Sequence, residues 1–171
     1  MKPGTLVPVE DYLHTSYDPD CDYVEGVLEE RNVGERDHGI VQGHVYAWFL
    51  SRRAELGVYP FIEQRLHVAP GRFRVPDVCL VEGGKPSEQV FSEPPLVVVE
   101  ILSAEDRMSR MQEKIADYLA FGVAHVWVID PRTRTAWSHT ADRSHECRDG
   151  VLKAGDRIRL PLAGILAELD S

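Results

Sequence analysis

Apolar residues recur with helical spacing in the first third of the chain. The positions that share this spacing are Ile40, Val41, Val45, Trp48 and Phe49. They fall on one helical face, which predicts a helix from His38 to about Leu56. Asp37 is the expected N-cap of this helix. Gly57 is its expected end, because glycine readily adopts the left-handed conformation found after helices.

A second helix is predicted from Ser103 to Phe121, directly after an aliphatic segment. Ser103 followed by Asp106 fits the capping pattern of a helix start, and Gly122 is expected to end the helix. The residues predicted to form its apolar stripe are Met108, Met111, Ile115 and Leu119. We therefore expect an amphipathic helix that buries this stripe.

Other segments alternate between apolar and polar residues or are continuously apolar, as strands are. Phe61–Val68 alternates, which predicts that Ile62, Leu66 and Val68 share one face. Leu96–Leu102 is almost entirely aliphatic, which is typical of a strand covered on both faces. The other predicted strands are Arg74–Val81, His125–Ile129 and Thr135–His139.

The two ends of the chain have weaker patterns. A tight hairpin centred on Gly26 is predicted from Tyr23 to Glu30, after a short helix from Pro8 to about Ser16. A strand at Arg157–Leu160 and a helix at Leu162–Leu169 are predicted near the C terminus. This order of elements is typical of an α/β or α+β fold around a mixed central sheet.

Composition indicates one folded domain with an acidic charge. Hydrophobic residues make up 43% and charged residues 27% of the 171 residues, which suits a single domain over 1–171 with its core in about residues 20–140. With 19 basic and 28 acidic residues, the net charge is −9. This charge counts against a tight, non-specific DNA binder, which needs a basic surface. It does not count against an enzyme whose metal ions supply the positive charge.

Several functional classes lack their sequence patterns. The three cysteines form no CxxC pair, which predicts neither a zinc site nor a disulfide framework and indicates a reducing compartment. HExxH, GxSxG and glycine-rich phosphate-loop motifs do not occur. The sequence has no signal-peptide pattern and no apolar run near the roughly 20 residues of a membrane helix. We therefore expect a cytoplasmic protein without a membrane partner.

Two carboxylates lie within predicted strands that are otherwise apolar. Asp77 interrupts Val75–Val81, and Glu100 interrupts Leu96–Leu102. A buried carboxylate without a partner costs several kcal/mol or becomes protonated, so each is expected to have a compensating cation or donor. A shared metal ion would compensate both. The alternative is that each pairs with an arginine or reaches water at a strand end.

Three basic residues follow the aliphatic strand at helical spacing. Arg107, Arg110 and Lys114 stand at positions i, i+3 and i+7, so they are predicted to share one stripe of the second helix. Lys114 would then project back over the strand ends. The alternative is a solvated helix face on which Arg110 pairs with Glu113, or Lys114 with Asp117.

A series of short segments, taken in order and with their spacing, resembles a known protein family. They are Val75-Pro76-Asp77, Val99-Glu100-Ile101-Leu102-Ser103, Asp106-Arg107, Lys114, Tyr118, Gly122-Val123 and Trp127-Val128-Ile129-Asp130-Pro131, with the hairpin Tyr23–Leu28 and His38. Over roughly residues 5–140 the chain is similar to the Uma-two family of restriction-endonuclease-like proteins, within the PD-(D/E)xK nuclease superfamily. The resemblance implies a mixed central sheet flanked by helices, with the active site where two strands diverge.

The resemblance also implies a metal site. Asp77 and Glu100 match the metal-binding carboxylates, and the backbone carbonyl of Ile101 is the expected third oxygen ligand of a Mg²⁺ or Mn²⁺ ion. The lysine that the superfamily usually has two residues after the acid is absent, because Leu102 stands there. In this family the lysine lies instead on the following helix, and Lys114 matches that position.

Accessory and substrate-binding residues follow from the same comparison. Asp22 matches an accessory acid before the hairpin, and His38 is a family position without a defined role. Arg110 stands where an acid that could orient the lysine is expected. Arg107 and Arg110 are expected to bind the phosphate backbone of the substrate, with Arg74 as a further candidate. For each helix arginine, the alternative is a simple exposed face.

Together these residues predict a metal-dependent endonuclease that hydrolyses phosphodiester bonds in DNA. The acidic charge predicts that a homodimer or another partner supplies part of the DNA-binding surface. The alternative is a catalytically silent binding or regulatory protein with a nuclease fold. Asp77, Glu100 and Lys114 favour the enzyme, because folding alone does not require two carboxylates in apolar strands.

Overall fold

The computed structural model describes residues 5–31 and 34–171. The helices are α1 (Val9–Leu13), α2 (Arg36–Ser51), α3 (Arg53–Leu56), α4 (Met108–Phe121) and α5 (Leu162–Ala167), with a 3-10 turn at Glu168–Asp170. The strands are β1 (Asp22–Val24), β2 (Val27–Glu29), β3 (Val58–Ile62), β4 (Leu66–Ala69), β5 (Arg72–Arg74), β6 (Val78–Glu82), β7 (Val97–Ile101), β8 (His125–Asp130), β9 (Thr135–His139), β10 (Ser144–Glu146), β11 (Val151–Ala154) and β12 (Ile158–Pro161).

Two sheets form the framework of the fold. The larger sheet has the order β10-β9-β8-β7-β6-β3, and only the central pair β7 and β8 is parallel. α4 connects these two strands, since a parallel pair requires a long crossover. The smaller, antiparallel sheet has the order β2-β1-β5-β4, and β11 and β12 form a separate hairpin. The predicted mixed central sheet flanked by helices is confirmed.

The larger sheet is covered on both faces. One face packs against α2, α5 and the β11–β12 hairpin, in a cluster that includes Phe49 and Trp127. The other face packs against α4 and β4, in a cluster that includes Leu66 and Val98. All residues of β7 are buried, as its aliphatic sequence predicts. The central strand therefore places any polar side chain that it carries inside the protein.

The predicted strand Phe61–Val68 is wrong, because the segment belongs to two sheets. β3 ends at Ile62 in the larger sheet, and β4 begins at Leu66 in the smaller one. Between them, Glu63 has a φ of 51°, which breaks the extended backbone. Ile62 is 47% exposed whereas Leu66 is fully buried, so the two side chains do not share a face as predicted.

The predicted strand Arg74–Val81 is divided in the same way. β5 ends at Arg74 in the smaller sheet, and β6 begins at Val78 in the larger one. Pro76 lies between them and has no N–H group to donate to a strand ladder. Asp77 is therefore the residue directly before β6, at the junction of the two sheets, and not a residue within a strand.

The first long helix differs from its prediction at both ends. α2 begins at Arg36 with Glu35 at the N-cap, so Asp37 lies in the first turn and is not the cap. The helix is interrupted at Arg52, and the short α3 completes the predicted span. Gly57 ends α3 in the left-handed conformation, as expected.

α4 begins five residues later than predicted, at Met108. Asp106 accepts a 2.6 Å hydrogen bond from the Ser103 N–H, so the predicted capping pair closes a turn ahead of the helix. Met108 is 65% exposed and does not belong to the buried stripe. The buried residues of α4 are Met111, Lys114 and Tyr118, with Ile115 and Leu119 packed partly against the sheet. A lysine thus belongs to the buried face of α4, beside the stripe predicted to be apolar.

The remaining elements agree with their predictions. The N-terminal hairpin is formed by β1 and β2, and β7, β8, β9, β12 and α5 lie close to their predicted bounds. β10 and β11 have no predicted counterpart. Within the described part of the chain, no helix is long and apolar enough to cross a membrane.

Candidate active site

The C-terminal end of β7 carries Glu100. Because side chains alternate along a strand, Val99 and Ile101 pack on the α2 side, and Val98 packs on the α4 side. Glu100 shares the face of Val98 and is only 2% exposed. The side chains of α4 are therefore the partners that the fold offers to this buried carboxylate.

Two residues of α4 contact Glu100. Lys114 and Tyr118 are four residues apart and so lie on one helical face. The Tyr118 hydroxyl donates a 2.6 Å hydrogen bond to Glu100 Oε1, and Lys114 Nζ lies 2.8 Å from the same oxygen. The structure thus places Lys114 over the strand end, and not beside Asp117, the alternative that its spacing allowed.

Asp77 lies next to the end of β7 and is joined to it by its side chain. Its Oδ2 accepts a 2.7 Å hydrogen bond from the Ile101 N–H, so the carboxylate takes the place of a main-chain partner. Its Oδ1 accepts a hydrogen bond from Arg31 Nη2, and His38 Nε2 lies 3.2 Å from the same oxygen. Asp77 therefore pairs with an arginine, which is the alternative that its sequence position allowed. It also contacts a histidine.

The two carboxylates have opposite pKa shifts. Burial raises the pKa of Glu100 to about 7, although the Lys114 ammonium lowers it, and the charge of Asp77 raises it further. Burial also favours a raised pKa for Asp77, but the hydrogen bond and charge of His38 and the charge of Arg31 hold this pKa below its ordinary value. The site thus contains one ionised carboxylate and one that titrates near neutral pH.

Asp22, the first residue of β1, reaches the site from the smaller sheet. Its Oδ1 accepts a 2.8 Å hydrogen bond from the Val75 N–H. Its Oδ2 lies 3.1 Å from Arg74 Nη1 and 3.7 Å from Lys114 Nζ. Position 110, where an acid that orients the lysine was expected, is an arginine. Asp22 and Glu100 are the acids that lie beside Lys114 instead. Against the effect of burial, their charges raise the pKa of Lys114.

The three arginines implied as phosphate anchors lie in different environments. Arg74 is 0% exposed, so it lies inside the protein and not on a surface that a substrate contacts. Arg107 is exposed at the N-cap of α4. Arg110 lines the cavity described below and pairs with Glu29 at 3.5 Å. The carboxylates that contact the Arg74 guanidinium are Asp22, Glu29, Glu113 and Asp117.

One cavity brings the principal site residues together. Its volume is about 160 Å³, which corresponds to about five water molecules at roughly 30 Å³ each. The side chains that line it include Asp22, Arg31, His38, Asp77, Glu100 and Lys114. Residues from both sheets, α2 and α4 therefore face a single polar space.

Arg31 is the site residue that the sequence did not indicate. It follows β2 and lies 46 positions before Asp77, and no local spacing connects the two. Tyr118 had a detectable signal, because it lies one helical turn after Lys114, although its contact with Glu100 was not predicted. Local periodicity therefore indicates neighbours on one helix but not partners on different elements.

The oxygen atoms of the cavity fit a hard divalent cation. Mg²⁺ binds proteins through one or two carboxylates and keeps several water molecules. Asp77 and Glu100 supply the carboxylates, and Ile101 lines the same cavity. Among residues 5–31 and 34–171, no cluster of three His, Cys, Asp or Glu side chains is arranged to hold a metal ion. A cation here would therefore depend on two carboxylates, a backbone carbonyl, water and substrate.

A mixed sheet with two buried acids beside a lysine of the crossover helix defines a protein of the nuclease-fold class. The sequence model of the Uma2 family, described as "Putative restriction endonuclease", matches residues 9–167. Because this match spans most of the chain, the protein belongs to that family, and the resemblance found in the sequence is confirmed.

A solved structure has the same fold. The crystal structure of a "putative nuclease belonging to DUF820" from Anabaena variabilis has a TM-score of 0.82 and 18% identity, over 95% of this chain and 99% of that chain. At this identity the likeness establishes the fold alone. A DrdV–DNA complex is more distant, with a TM-score of 0.46 and 18% identity over 78% of this chain and 12% of that chain. The chain has no match among curated proteins.

Proposed function

We propose that the protein is a metal-dependent endonuclease that hydrolyses phosphodiester bonds in DNA. The observation that carries this proposal is the convergence of Asp77, Glu100 and Lys114 on one cavity. Membership of a family of restriction-endonuclease-like proteins supports nuclease activity in general. The cation, the roles of the residues and the DNA substrate are the parts that we propose.

In the proposed site, Asp77, Glu100 and the Ile101 carbonyl hold a Mg²⁺ or Mn²⁺ ion. Such an ion polarises a phosphate oxygen and lowers the pKa of a water molecule. The Ile101 N–H holds Asp77 through Oδ2, and the Tyr118 hydroxyl holds Glu100 through Oε1. Both carboxylates are therefore oriented by the protein itself, and an ion at Asp77 would share that carboxylate with Arg31 and His38.

Lys114 is the residue proposed to act on the attacking water and on the charge that develops on the phosphate. Its ammonium group has three donors. Glu100 lies 2.8 Å and Asp22 lies 3.7 Å from Nζ, so these acids position the group without using all its donors. A fixed cation at the reacting phosphate stabilises the transition state more than it stabilises the substrate.

A catalytically silent binding or regulatory protein is the second candidate. The observation that favours it is that Asp77 already has two side-chain partners in the protein, Arg31 and His38. In such a protein these contacts would serve only to stabilise the junction between the two sheets. The net charge of −9 also suits a protein that does not bind DNA tightly.

The proposal is tested with supercoiled plasmid and with single-stranded DNA, each incubated in Mg²⁺, in Mn²⁺ and in EDTA. We expect cleavage only with the metal ions. We further propose that a homodimer cuts both strands, so linear plasmid should form without accumulation of the nicked form. If the protein cleaves neither substrate and calorimetry detects no metal binding, the result supports the catalytically silent binding or regulatory protein.

The affinity for Mg²⁺ is expected to rise with pH through about 7, because Glu100 must lose a proton before it binds a cation. The raised pKa means that Glu100 is mainly protonated below this pH, where metal binding releases about one proton. Well above it, binding releases none. Calorimetry in buffers with different ionisation enthalpies measures both quantities, and a pH-independent affinity would contradict the role of Glu100.

Lys114→Met is expected to reduce the cleavage rate by about 10²–10³-fold while Mg²⁺ affinity changes little. The measurement is made near pH 8.5, because loss of the lysine raises the pKa of Glu100 further. Lys114→Arg is the matched control, since it keeps the charge and should recover part of the rate. If Lys114→Met lowered only the free energy of unfolding, Lys114 would be structural.

A further inference from the structure

Arg31 lies in the active-site cavity, and one of its three guanidinium nitrogens, Nη1, makes no hydrogen bond within the described part of the chain. Its side chain is 11% exposed, and Nη2 donates to Asp77 Oδ1. Nη1 is buried and has no hydrogen-bond acceptor among the residues that the structure describes. Glu63 Oε1 lies 3.3 Å from Nη1, which makes an ion pair but not an aligned hydrogen bond. Nη1 of this buried, charged guanidinium group therefore has no well-aligned acceptor among the described residues.

Such an arrangement is costly. A buried donor without an acceptor destabilises the folded state, and native proteins retain few of them. The guanidinium also stays charged, because Asp77, Glu100 and Glu63 raise its pKa against the effect of burial. The planar fork of arginine matches the oxygen atoms of a phosphate group. The unsatisfied donor therefore indicates an anionic, phosphate-type ligand.

The Arg31 guanidinium lies between two acids, Asp77 at Nη2 and Glu63 at Nη1. Glu63 is in the left-handed region at φ 51°, a conformation that costs energy for a residue other than glycine and is frequent at functional sites. The Glu63 N–H donates to the Asp77 carbonyl at 3.3 Å, and Gln42 Nε2 donates to that carbonyl at 3.0 Å. Gln42 Nε2 also donates to Glu63 Oε1 at 3.4 Å, so both the main chain and the carboxylate of Glu63 are positioned beside Arg31.

We propose that Arg31 binds the phosphodiester group of the substrate, with Nη1 donating to a nonbridging oxygen while Nη2 stays on Asp77. The inference rests on the proposed function for the identity of the substrate, and it names the residue that holds the reacting phosphate. Arg31 and Lys114 line the same cavity, so the phosphate would meet two fixed cations of the chain. Arg107 at the exposed start of α4, and the partly exposed Arg110 that also lines the cavity, are then left to contact neighbouring phosphates.

The test measures binding and not cleavage. The probe is a short fluorescein-labelled DNA duplex in Ca²⁺, whose anisotropy is recorded at several salt concentrations, with a gel to verify that the duplex stays intact. Arg31→Gln is expected to weaken binding about tenfold or more, as for a lost charge-assisted hydrogen bond. It should also reduce the salt slope by about 0.9, the loss of one phosphate contact. The matched control is Arg132→Gln, an exposed arginine that does not line the cavity.

Glu63→Gln provides a second variant in case Arg31→Gln folds poorly. Removing this carboxylate frees Nη1 from its ion pair, so binding is expected to tighten about two- to threefold. In the Arg31→Gln background the same change should have a smaller effect, because only the direct repulsion between Glu63 and the phosphate is then removed. A merely structural Arg31 predicts no such dependence between the two substitutions.

The outcomes separate the two proposals. Wild-type protein that cleaves DNA, together with an Arg31→Gln variant of unchanged affinity and salt slope, overturns the role of Arg31 and leaves the nuclease intact. An effect of Glu63→Gln that is equally large with and without Arg31 overturns it as well. Wild-type protein that neither binds nor cleaves DNA overturns both.

Discussion

Asp77→Asn and Glu100→Gln are each expected to lower the DNA cleavage rate by 10³-fold or more, on the order expected for loss of a catalytic cation. Each substitution keeps the size of the side chain and removes its charge. An asparagine at position 77 still offers an oxygen to the Ile101 N–H, and a glutamine at position 100 still offers one to the Tyr118 hydroxyl. The main loss is therefore the affinity for a cation, which calorimetry with Mg²⁺ or Mn²⁺ measures directly.

Surface variants provide the matched controls for these two substitutions. Asp142→Asn and Glu55→Gln make the same chemical changes at exposed positions and should leave both metal affinity and cleavage unchanged. Urea unfolding of all four variants verifies that the protein is folded. Metal affinity that is unchanged in Asp77→Asn or Glu100→Gln would refute the metal site, even if cleavage were lost.

Arg74→Met is expected to lower the free energy of unfolding by about 3–5 kcal/mol, a large part of the stability of an average domain. Arg74 is 0% exposed, and its guanidinium lies between acids of both sheets and of α4. Its removal leaves Asp22, Glu29 and Asp117 without their shared cation. The buried Asp22 would then keep only Lys114, at 3.7 Å, as a cationic partner, and breaking its pair with Arg74 costs more than the methionine gains by packing.

Arg72→Met is the control from the same strand. Arg72 also contacts Glu113 and Asp117, but its side chain is 24% exposed and water screens its pairs. Its loss should cost no more than about 1 kcal/mol. Both variants are measured by urea unfolding. Equal losses at positions 72 and 74 would show that the burial of Arg74 does not determine its contribution.

The parts of the fold that could be predicted are those whose pattern is local. The aliphatic run of β7 and the glycines that follow α3 and α4 contain their own signals. The division of Phe61–Val68 was not predicted: Gln64 interrupts the alternation, but nothing local requires the strand to end before Glu63. That residue leaves the strand conformation only because the chain must pass from one sheet to the other.

The residues of the candidate site that could be predicted are likewise those with a local signal in the sequence. Asp77 and Glu100 could be selected because a carboxylate in an apolar segment needs compensation wherever the chain folds. Lys114 could be selected by its spacing and by the family resemblance. Arg31 could not, since its relation to Asp77 depends on where the segment after β2 meets the start of β6. Arg74 has ordinary sequence surroundings, and only the packing of β5 against α4 reveals that it is buried.

The sequence by itself determined which charges had to be compensated, because burial follows from the hydrophobic pattern of each segment. It also determined the family, through the order and spacing of short motifs. Only the tertiary structure decided which group compensates each charge: Lys114 and Tyr118 for Glu100, and Arg31 and His38 for Asp77. The physical reason is that a hydrogen bond or ion pair acts over a few ångströms in space, whereas the sequence records only separation along the chain.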